Sequence, residues 1–290
     1  MTVRDYLLID GLLRPDAIRQ LYQRGDVLHI KPLYLGTAWA ALKDSGPILA
    51  MPAQGSRLMQ DWWMSSEQHL SASGLHSRAP AQQVVEHLRR FLSPRDHTGQ
   101  SCLFRFADPV TLHYWLSSYT PENLAQVLGP IEQIRVRRPL HSWRPQPEEP
   151  FTDFVRPGAQ PLWDDDATLL GEPQTAALEE AFRWLFIERL YDWLNEVQPG
   201  FFADWSADRI EAWFQQALDS GYRWGLVSEY ALAIWVELCQ VWGLDFAEAG
   251  SGPYQDWLNS HPDQARLAPE LRIDALDDYR LKTAGDAAND

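Results

Sequence analysis

Cysteine is scarce in this chain of 290 residues, and the two that occur, Cys102 and Cys239, lie far apart. Two cysteines without a Cys-x-x-Cys pair argue against a zinc module, and their apolar neighbours predict buried free thiols in a reducing compartment. No apolar run approaches the roughly 20 residues of a membrane span. Residues 1–10 also lack the apolar core of a secretory signal. We therefore expect a cytoplasmic protein with no membrane insertion.

The usual signatures of catalysis are missing as well. The chain has no Gly-x-Ser-x-Gly, no phosphate-binding glycine loop and no His-Glu-x-x-His, and its eight histidines are scattered. The densest run of carboxylates, Asp164 to Asp166, is typical of a solvated charge run rather than a cation site. These absences predict no catalytic residue, no cofactor, no metal and no small-molecule substrate.

Charge and tryptophan divide the chain near residue 140. Residues 1–140 carry a net charge of +3 and residues 141–290 a net charge of −18, which together give −15. Ten of the fourteen tryptophans lie in the second half. This break predicts two lobes, and the acidic one would repel nucleic acid.

The first lobe, residues 1–138, alternates between short apolar runs and amphipathic segments, which predicts an α+β or α/β fold with a small mixed sheet flanked by helices. We expect strands at 6–9, 27–30, 48–51, 69–77, 103–106 and 131–136. The strand at 103–106 would lead into a helix capped by Asp108, with Pro109 in its first turn.

The rest of the chain is predicted to be helical after a break. Residues 139–171 are rich in proline and are interpreted as a linker or an irregular wrap over the first lobe. Residues 172–282 have helical periodicity throughout, with Ser206 and Ser228 as N-caps, and predict an all-helical lobe. Residues 283–290 are small and polar, and we expect them to be a flexible tail.

Tryptophan is the strongest compositional anomaly of the helical lobe. Most of these rings fit a filled core, but Trp205, Trp213 and Trp224 flank one helix and its exit turn, where not all of them can face inward. Tryptophan is enriched where proteins bind one another. We hypothesise that these three rings frame a partner-binding groove, together with acids such as Glu211 and Asp219.

Two other classes of function remain open from the residues alone. Asp10 and Asp108 follow predicted strands and Glu86 lies on a nearby helix, so a metal-dependent nuclease is one alternative. The basic clusters Arg89–Arg90 and Arg135–Arg138 would suit a nucleic-acid-binding module, but they lack interleaved aromatic residues. A turn for Asp10 and a helix cap for Asp108 are the simpler interpretations.

Five segments recur here in an order that resembles a known family. They are YLLIDG at 6–11, LYLGTAWAALKDSGPIL at 33–49, EHLRRFL at 86–92, LFRFADPVTL at 103–112 and LGPI at 128–131. Together they resemble the Tap/Tec family of type VI secretion effector chaperones, also called adaptor proteins. The run at 201–229 is similar to the C-terminal lobe of many members, whereas residues 69–77 lack the Trp-Gly step often found there.

The resemblance implies a bacterial, cytoplasmic adaptor without enzymatic activity. Such a protein holds a specific toxic effector and helps load it onto the VgrG spike before secretion. Its expected partners are therefore the cognate effector and VgrG, with no nucleic acid. The family supplies no catalytic residues to carry over to this chain.

Overall fold

The computed structural model describes residues 4–65, 70–96, 98–162 and 168–287. The chain divides into two compact units. The N-terminal unit comprises residues 1–141 and 145–184, and the C-terminal unit comprises residues 142–144 and 185–290. Three parts of our predictions lie outside the described residues: the acidic run Asp164–Asp166, the start of the predicted strand at His69, and residues 288–290 of the predicted tail.

The N-terminal unit is built on a six-stranded sheet with the strand order β2-β3-β1-β4-β5-β6. The predicted fold class, a small sheet flanked by helices followed by a helical region, is confirmed. The sheet is not mixed as we expected, because all five neighbouring pairs of strands are antiparallel. The strands are β1 (Arg4–Asp10), β2 (Val27–Pro32), β3 (Pro47–Pro52), β4 (Ala72–Ser77), β5 (Gln133–Arg137) and β6 (Phe151–Val155).

Helices of the same unit cover both faces of the sheet. Strand side chains alternate between two cores, since Tyr6 and Leu8 of β1 belong to one apolar cluster, and Leu7 and Ile9 to the other. The helices are α1 (Ala17–Arg24), α2 (Leu58–Met64), α3 (Ala81–Arg89), α4 (Pro109–Ser117) and α5 (Pro121–Leu128), with a short 3₁₀ turn at Ala40–Leu42.

Three expectations for this unit are wrong. Residues 103–106 are not a strand, because they do not pair with any strand of the sheet: residues 103–105 are irregular, and Phe106 begins the turn that leads into α4. Cys102, just before them, is exposed rather than buried, whereas Cys239 is buried as expected. The segment 139–171, which we interpreted as a linker or an irregular wrap, contains a regular strand, because β6 pairs with β5 along Gln133–Arg137.

The C-terminal unit consists of helices packed around an aromatic core. Helix α6 (Glu172–Val197) contributes its residues 185–197 to this unit and its earlier residues to the other. The remaining helices are α7 (Ala207–Trp224), α8 (Glu229–Trp242), α9 (Pro253–Ser260) and α10 (Pro269–Ala287), with a 3₁₀ helix at Pro262–Arg266. Helix α10 continues past residue 283, where we expected the tail to begin. The most buried of these helices is α8, since nine of its residues are buried.

Candidate functional site on the helical unit

The candidate site is an open groove between α7 and the segment that follows α8. Helix α7 begins where Ser206 accepts a hydrogen bond from the Arg209 N–H, and it ends at Gly225, which has a φ of 103°. Its buried face includes Ile210 and Phe214. The groove has a volume of about 700 Å³. Its lining residues are Gln216, Asp219, Ser220, Tyr222, Arg223, Leu244, Asp245 and Glu248.

The groove is acidic. Three carboxylates, Asp219, Asp245 and Glu248, face a single guanidinium, Arg223, whose Nε donates to the Asp219 carbonyl oxygen at 3.3 Å. The Ser220 hydroxyl is engaged within the fold, because it donates to the Ala217 carbonyl and accepts from Trp235 Nε1 at 2.8 Å. The lining therefore offers negative charge and apolar contact, which suits binding of a basic or neutral surface.

The three predicted tryptophans do not frame this groove. Trp213 is only 7% exposed and belongs to the core of the C-terminal unit, so the expectation that it forms part of a binding surface is corrected. Its ring lies 5.1 Å from that of Phe214, and aromatic packing of this kind stabilises a core.

Trp205 and Trp224 are partly buried at the two ends of α7. The Arg209 guanidinium lies 3.8 Å from the centre of the Trp205 ring, and Arg272 lies 5.1 Å from that of Trp224. One face of each ring is thus covered by a cation–π contact within the unit.

The two predicted acids have different surroundings. Glu211 is paired with Arg144, whose Nε donates to it at 3.0 Å, and Asp208 is paired with the same guanidinium. Asp219 lines the groove. Of the five predicted residues, the structure thus brings only Asp219 to the groove. The sequence reasoning missed Asp245 and Glu248, although the acidic segment DFAE after Gly243 was a signal that could have found them.

The carboxylates of the nuclease alternative, Asp10 and Asp108, form a closed cluster in the N-terminal unit. Asp10 is 3% exposed and accepts hydrogen bonds from the N–H groups of Leu12 and Leu13. Asp108 is 2% exposed and caps α4, as predicted. Arg105 Nη2 lies 3.0 Å from Asp10 and 3.7 Å from Asp108. A guanidinium thus occupies the position between the two acids that a metal would need.

Burial raises the pKa of Asp108, and the nearby charge of Asp10 adds to this effect. Glu86 is exposed on α3 and accepts a hydrogen bond from Gln82, the neighbour one turn earlier. Within the described ranges there is no group of three or more His, Cys, Asp or Glu side chains that could hold a metal. The three acids of the nuclease hypothesis therefore do not form a common site with the geometry of a metal centre.

The basic clusters are occupied by bonds within the N-terminal unit. Arg89 donates to the carbonyl oxygens of Leu33 and Leu35, and Arg135 is paired with Asp153. The Nε of Arg138 lies within hydrogen-bond distance of the Phe151 carbonyl. These guanidinium groups join loops and strands, which is a structural role.

Among the described helices, none has both the length and the apolarity to cross a membrane.

Two comparisons with known proteins found relatives of this chain. Residues 6–126 match the family described as "Domain of unknown function (DUF4123)". The chain is 23% identical over 280 residues to "Accessory protein VasW" of Vibrio cholerae serotype O1, an alignment that covers 94% of this chain and 86% of the relative. No solved structure matches the chain significantly.

Proposed function

We propose that this protein, which carries the DUF4123 domain of type VI secretion effector adaptors, binds one specific effector and helps load it onto the VgrG spike. The resemblance read from the sequence is confirmed, and the chain has an accessory or adaptor role in type VI secretion. We further propose that it is a bacterial, cytoplasmic protein without catalytic activity, and that its partners are the effector and VgrG.

The observation that carries the proposal is the acidic groove on α7. An adaptor needs surfaces that recognise a partner, and this groove offers about 700 Å³ lined by three carboxylates. The second half of the chain adds a net charge of −18, which would accelerate the encounter with a basic surface. We propose that the partner places a basic segment in the groove.

The test uses the full chain and the products of the toxin and spike genes beside its own gene. Binding is measured by calorimetry and by stopped-flow association for the wild type and for the variant D219N/D245N/E248Q. We expect the groove variant to bind the effector or VgrG at least tenfold more weakly. Its association rate should also depend less on salt between about 0.05 and 0.5 M than that of the wild type, although the remaining charge of the second half preserves part of the dependence.

A matched control removes the same number of charges from the same unit. Glu196, Asp204 and Asp263 are exposed and do not line the groove. The variant E196Q/D204N/D263N should bind like the wild type. An equal loss in both variants would show that net charge rather than the groove matters. A wild-type chain that binds neither gene product at micromolar concentration would refute the adaptor function itself.

We propose that the protein is not an enzyme, because Arg105 lies between Asp10 and Asp108, the two acids that a nuclease would use to bind a metal. If the protein acts only by binding, the variant D108N should load its effector as well as the wild type does. Secretion of the effector by a strain carrying that variant is the readout. Loss of secretion by a D108N protein that folds and binds normally would favour the nuclease alternative.

A further inference from the structure

The C-terminal unit has a second surface, which is apolar and strongly exposed. Four large apolar side chains reach solvent on α8, on α10 and immediately before the N-cap of α8: Val227 is 80% exposed, Tyr230 66%, Leu271 60% and Leu281 57%. Scattered exposed apolar residues are common on proteins, but contiguous patches of them mark interaction sites. These four residues can form an interaction site only if they lie on one face of the unit.

Hydrogen bonds hold the beginnings of α8 and α10 together. The Glu270 carboxylate accepts the N–H of Val227 at 3.0 Å and that of Ser228 at 2.7 Å. The Tyr230 hydroxyl donates to Asp274 at 3.0 Å. Val227 and Tyr230 are thus fixed beside the first two turns of α10. Leu271, which follows Glu270 directly, lies in the first of these turns.

Helix α10 extends this surface along its length. Leu271, Asp274, Asp278 and Leu281 are spaced i, i+3, i+7 and i+10, which places them on one side of a helix over about 15 Å. All four are exposed. Ile273 and Leu276 face the opposite way and are fully buried in the core of the unit. We call the surface formed by Val227, Tyr230, Leu271, Asp274, Asp278 and Leu281 the α8–α10 face.

The charge of the α8–α10 face is negative. Asp274 and Asp278 lie between the two leucines, and Lys282, one turn after Asp278, adds an exposed positive charge at the end of the face. Arg280 lies on the opposite side of the helix and is paired with Glu237 and Asp277. The hydrogen bond to Asp274 and the charges of Asp274, Asp277 and Asp278 raise the pKa of Tyr230. A complementary surface would be basic in its centre and apolar at both ends.

We propose that the α8–α10 face docks a basic amphipathic helix of a protein partner, with two apolar anchors that contact Leu271 and Leu281 and basic side chains opposite Asp274 and Asp278. The inference rests on the proposed function for the nature of the partner, a protein to be carried or assembled. It goes beyond that function in naming a second surface and the chemistry that fits it. Recognition of a helix by its i, i+3, i+7 anchors is a common mode of peptide binding.

Charge argues against two other occupants. A second copy of the chain would bring the same acidic face, and like charges directly opposed disfavour such a dimer. An anionic lipid surface would be repelled for the same reason. A basic protein segment satisfies both the apolar and the charged parts of the face.

The test uses the full chain and a labelled synthetic peptide of 18 residues. The probe has lysines in its central turns and leucines one turn from each end, all on one helical face. A second peptide has the same composition in scrambled order, and a third has glutamate in place of lysine. Fluorescence anisotropy measures affinity at low salt. We expect the probe to bind at least tenfold more tightly than either control peptide.

Variants separate the apolar from the charged contribution. L271A/L281A should weaken binding of the probe at least tenfold, and D274N/D278N should weaken it severalfold and reduce its salt dependence. Two controls should leave the affinity unchanged. V241A alters an exposed apolar side chain elsewhere on α8, and D219N/D245N/E248Q alters the groove. Circular dichroism verifies that each variant is folded.

Several outcomes would overturn the inference. One is equal affinity of the wild type and L271A/L281A for the probe. Another is an equal loss in the groove variant, which would place the peptide there. A wild-type dimer that L271A/L281A converts to a monomer in sedimentation would assign the face to a second copy. None of these results bears on whether the groove binds effector or VgrG, so the two proposals fail separately.

Discussion

Arg105 Nη2 donates a 3.0 Å hydrogen bond to Oδ2 of Asp10, which joins the segment before α4 to the end of β1. Asp10 is also held by two backbone N–H groups, and Asp108 lies 3.7 Å from the same guanidinium. One cation therefore faces two buried carboxylates and offsets part of their charge. The cluster connects the sheet to a helix far along the chain.

Replacing Arg105 with methionine should destabilise the N-terminal unit by about 2 kcal/mol, because two buried carboxylates lose their cation. The loss is smaller than for a fully buried pair, since the arginine side chain is 41% exposed. Urea unfolding at pH 7 measures it. Adding D10N to R105M should recover part of the loss. A double variant no more stable than R105M would contradict a charge-based cause.

Asp108 predicts a pH dependence of a definite sign. Because burial raises its pKa in the folded state, the native protein holds a proton that the unfolded chain releases as the pH rises above 3.8. The contribution of Asp108 to stability therefore falls as the pH rises through this window. D108N keeps the capping oxygen and should remove this decline. Unfolding free energies from pH 4 to 7 measure the difference, and parallel curves for the two proteins would refute it.

His87 should act in the opposite direction. Its Nε2 lies 2.7 Å from the Val127 carbonyl oxygen, and burial lowers its pKa from 6.5 to about 4. The unfolded chain therefore binds the proton first, and stability is lost as the pH falls from 6.5 towards 4. The loss should reach ~3 kcal/mol. H87Q should flatten the profile in urea unfolding, whereas the exposed control H29Q should leave it unchanged.

Gly129 is a position where both space and conformation require glycine. Its φ is +50°, and a Cβ there would lie 2.3 Å from Cε1 of His87. We expect G129A to destabilise the protein by about 3 kcal/mol, from backbone strain and from the clash. G200A is the matched control, because Gly200 has a φ of +89° but no atom within 4 Å of a Cβ. It should cost about 1 kcal/mol, and similar losses in thermal unfolding would contradict the clash.

Trp143 should contribute more to the C-terminal unit than the ion pair beside it. Its ring lies 4.6 Å from Tyr191 and 5.7 Å from Phe214. W143A should therefore destabilise the unit by about 3 kcal/mol. R144A removes a pair at the surface with Glu211 and should cost less than 1 kcal/mol. Guanidinium unfolding followed by circular dichroism compares them, and the reverse ranking would show that the ion pair dominates.

Local signals predicted the helices of the C-terminal unit well. Ser206 and Ser228 cap α7 and α8 as expected, because an N-cap depends only on residues within one turn. The same holds for Asp108 and Pro109 at the start of α4. Local signals predicted the strands less well. Residues 103–106 have a strand-like composition, but they do not pair with any strand of the sheet. Strand β6 lies in a proline-rich segment that was not predicted to form a strand, and it forms one by pairing with β5.

The residues of the candidate site likewise divide into those that local sequence could indicate and those that only the fold brings together. Asp219 could be named from the sequence as an acid near a helix end, but its partners Asp245 and Glu248 come from a different segment. The periodicity of α7 places Trp213 on the same side as Ile210 and Phe214, and the structure buries it there. Trp205 precedes the helix, so its position depends on tertiary contacts with Phe201 and Phe202. The α8–α10 face was not predicted either.

The sequence by itself determined the class of fold, the acidic character of the second half and the resemblance to the type VI adaptors, since these depend on composition and local order. The tertiary structure alone decided that Arg105 joins Asp10 and Asp108, that Asp245 and Glu248 join Asp219 in one groove, and that Tyr230 donates to Asp274. The physical reason is the range of the interactions. Caps and helical periodicity act within a few residues, whereas a cluster or a surface depends on segments that meet only after the chain has folded.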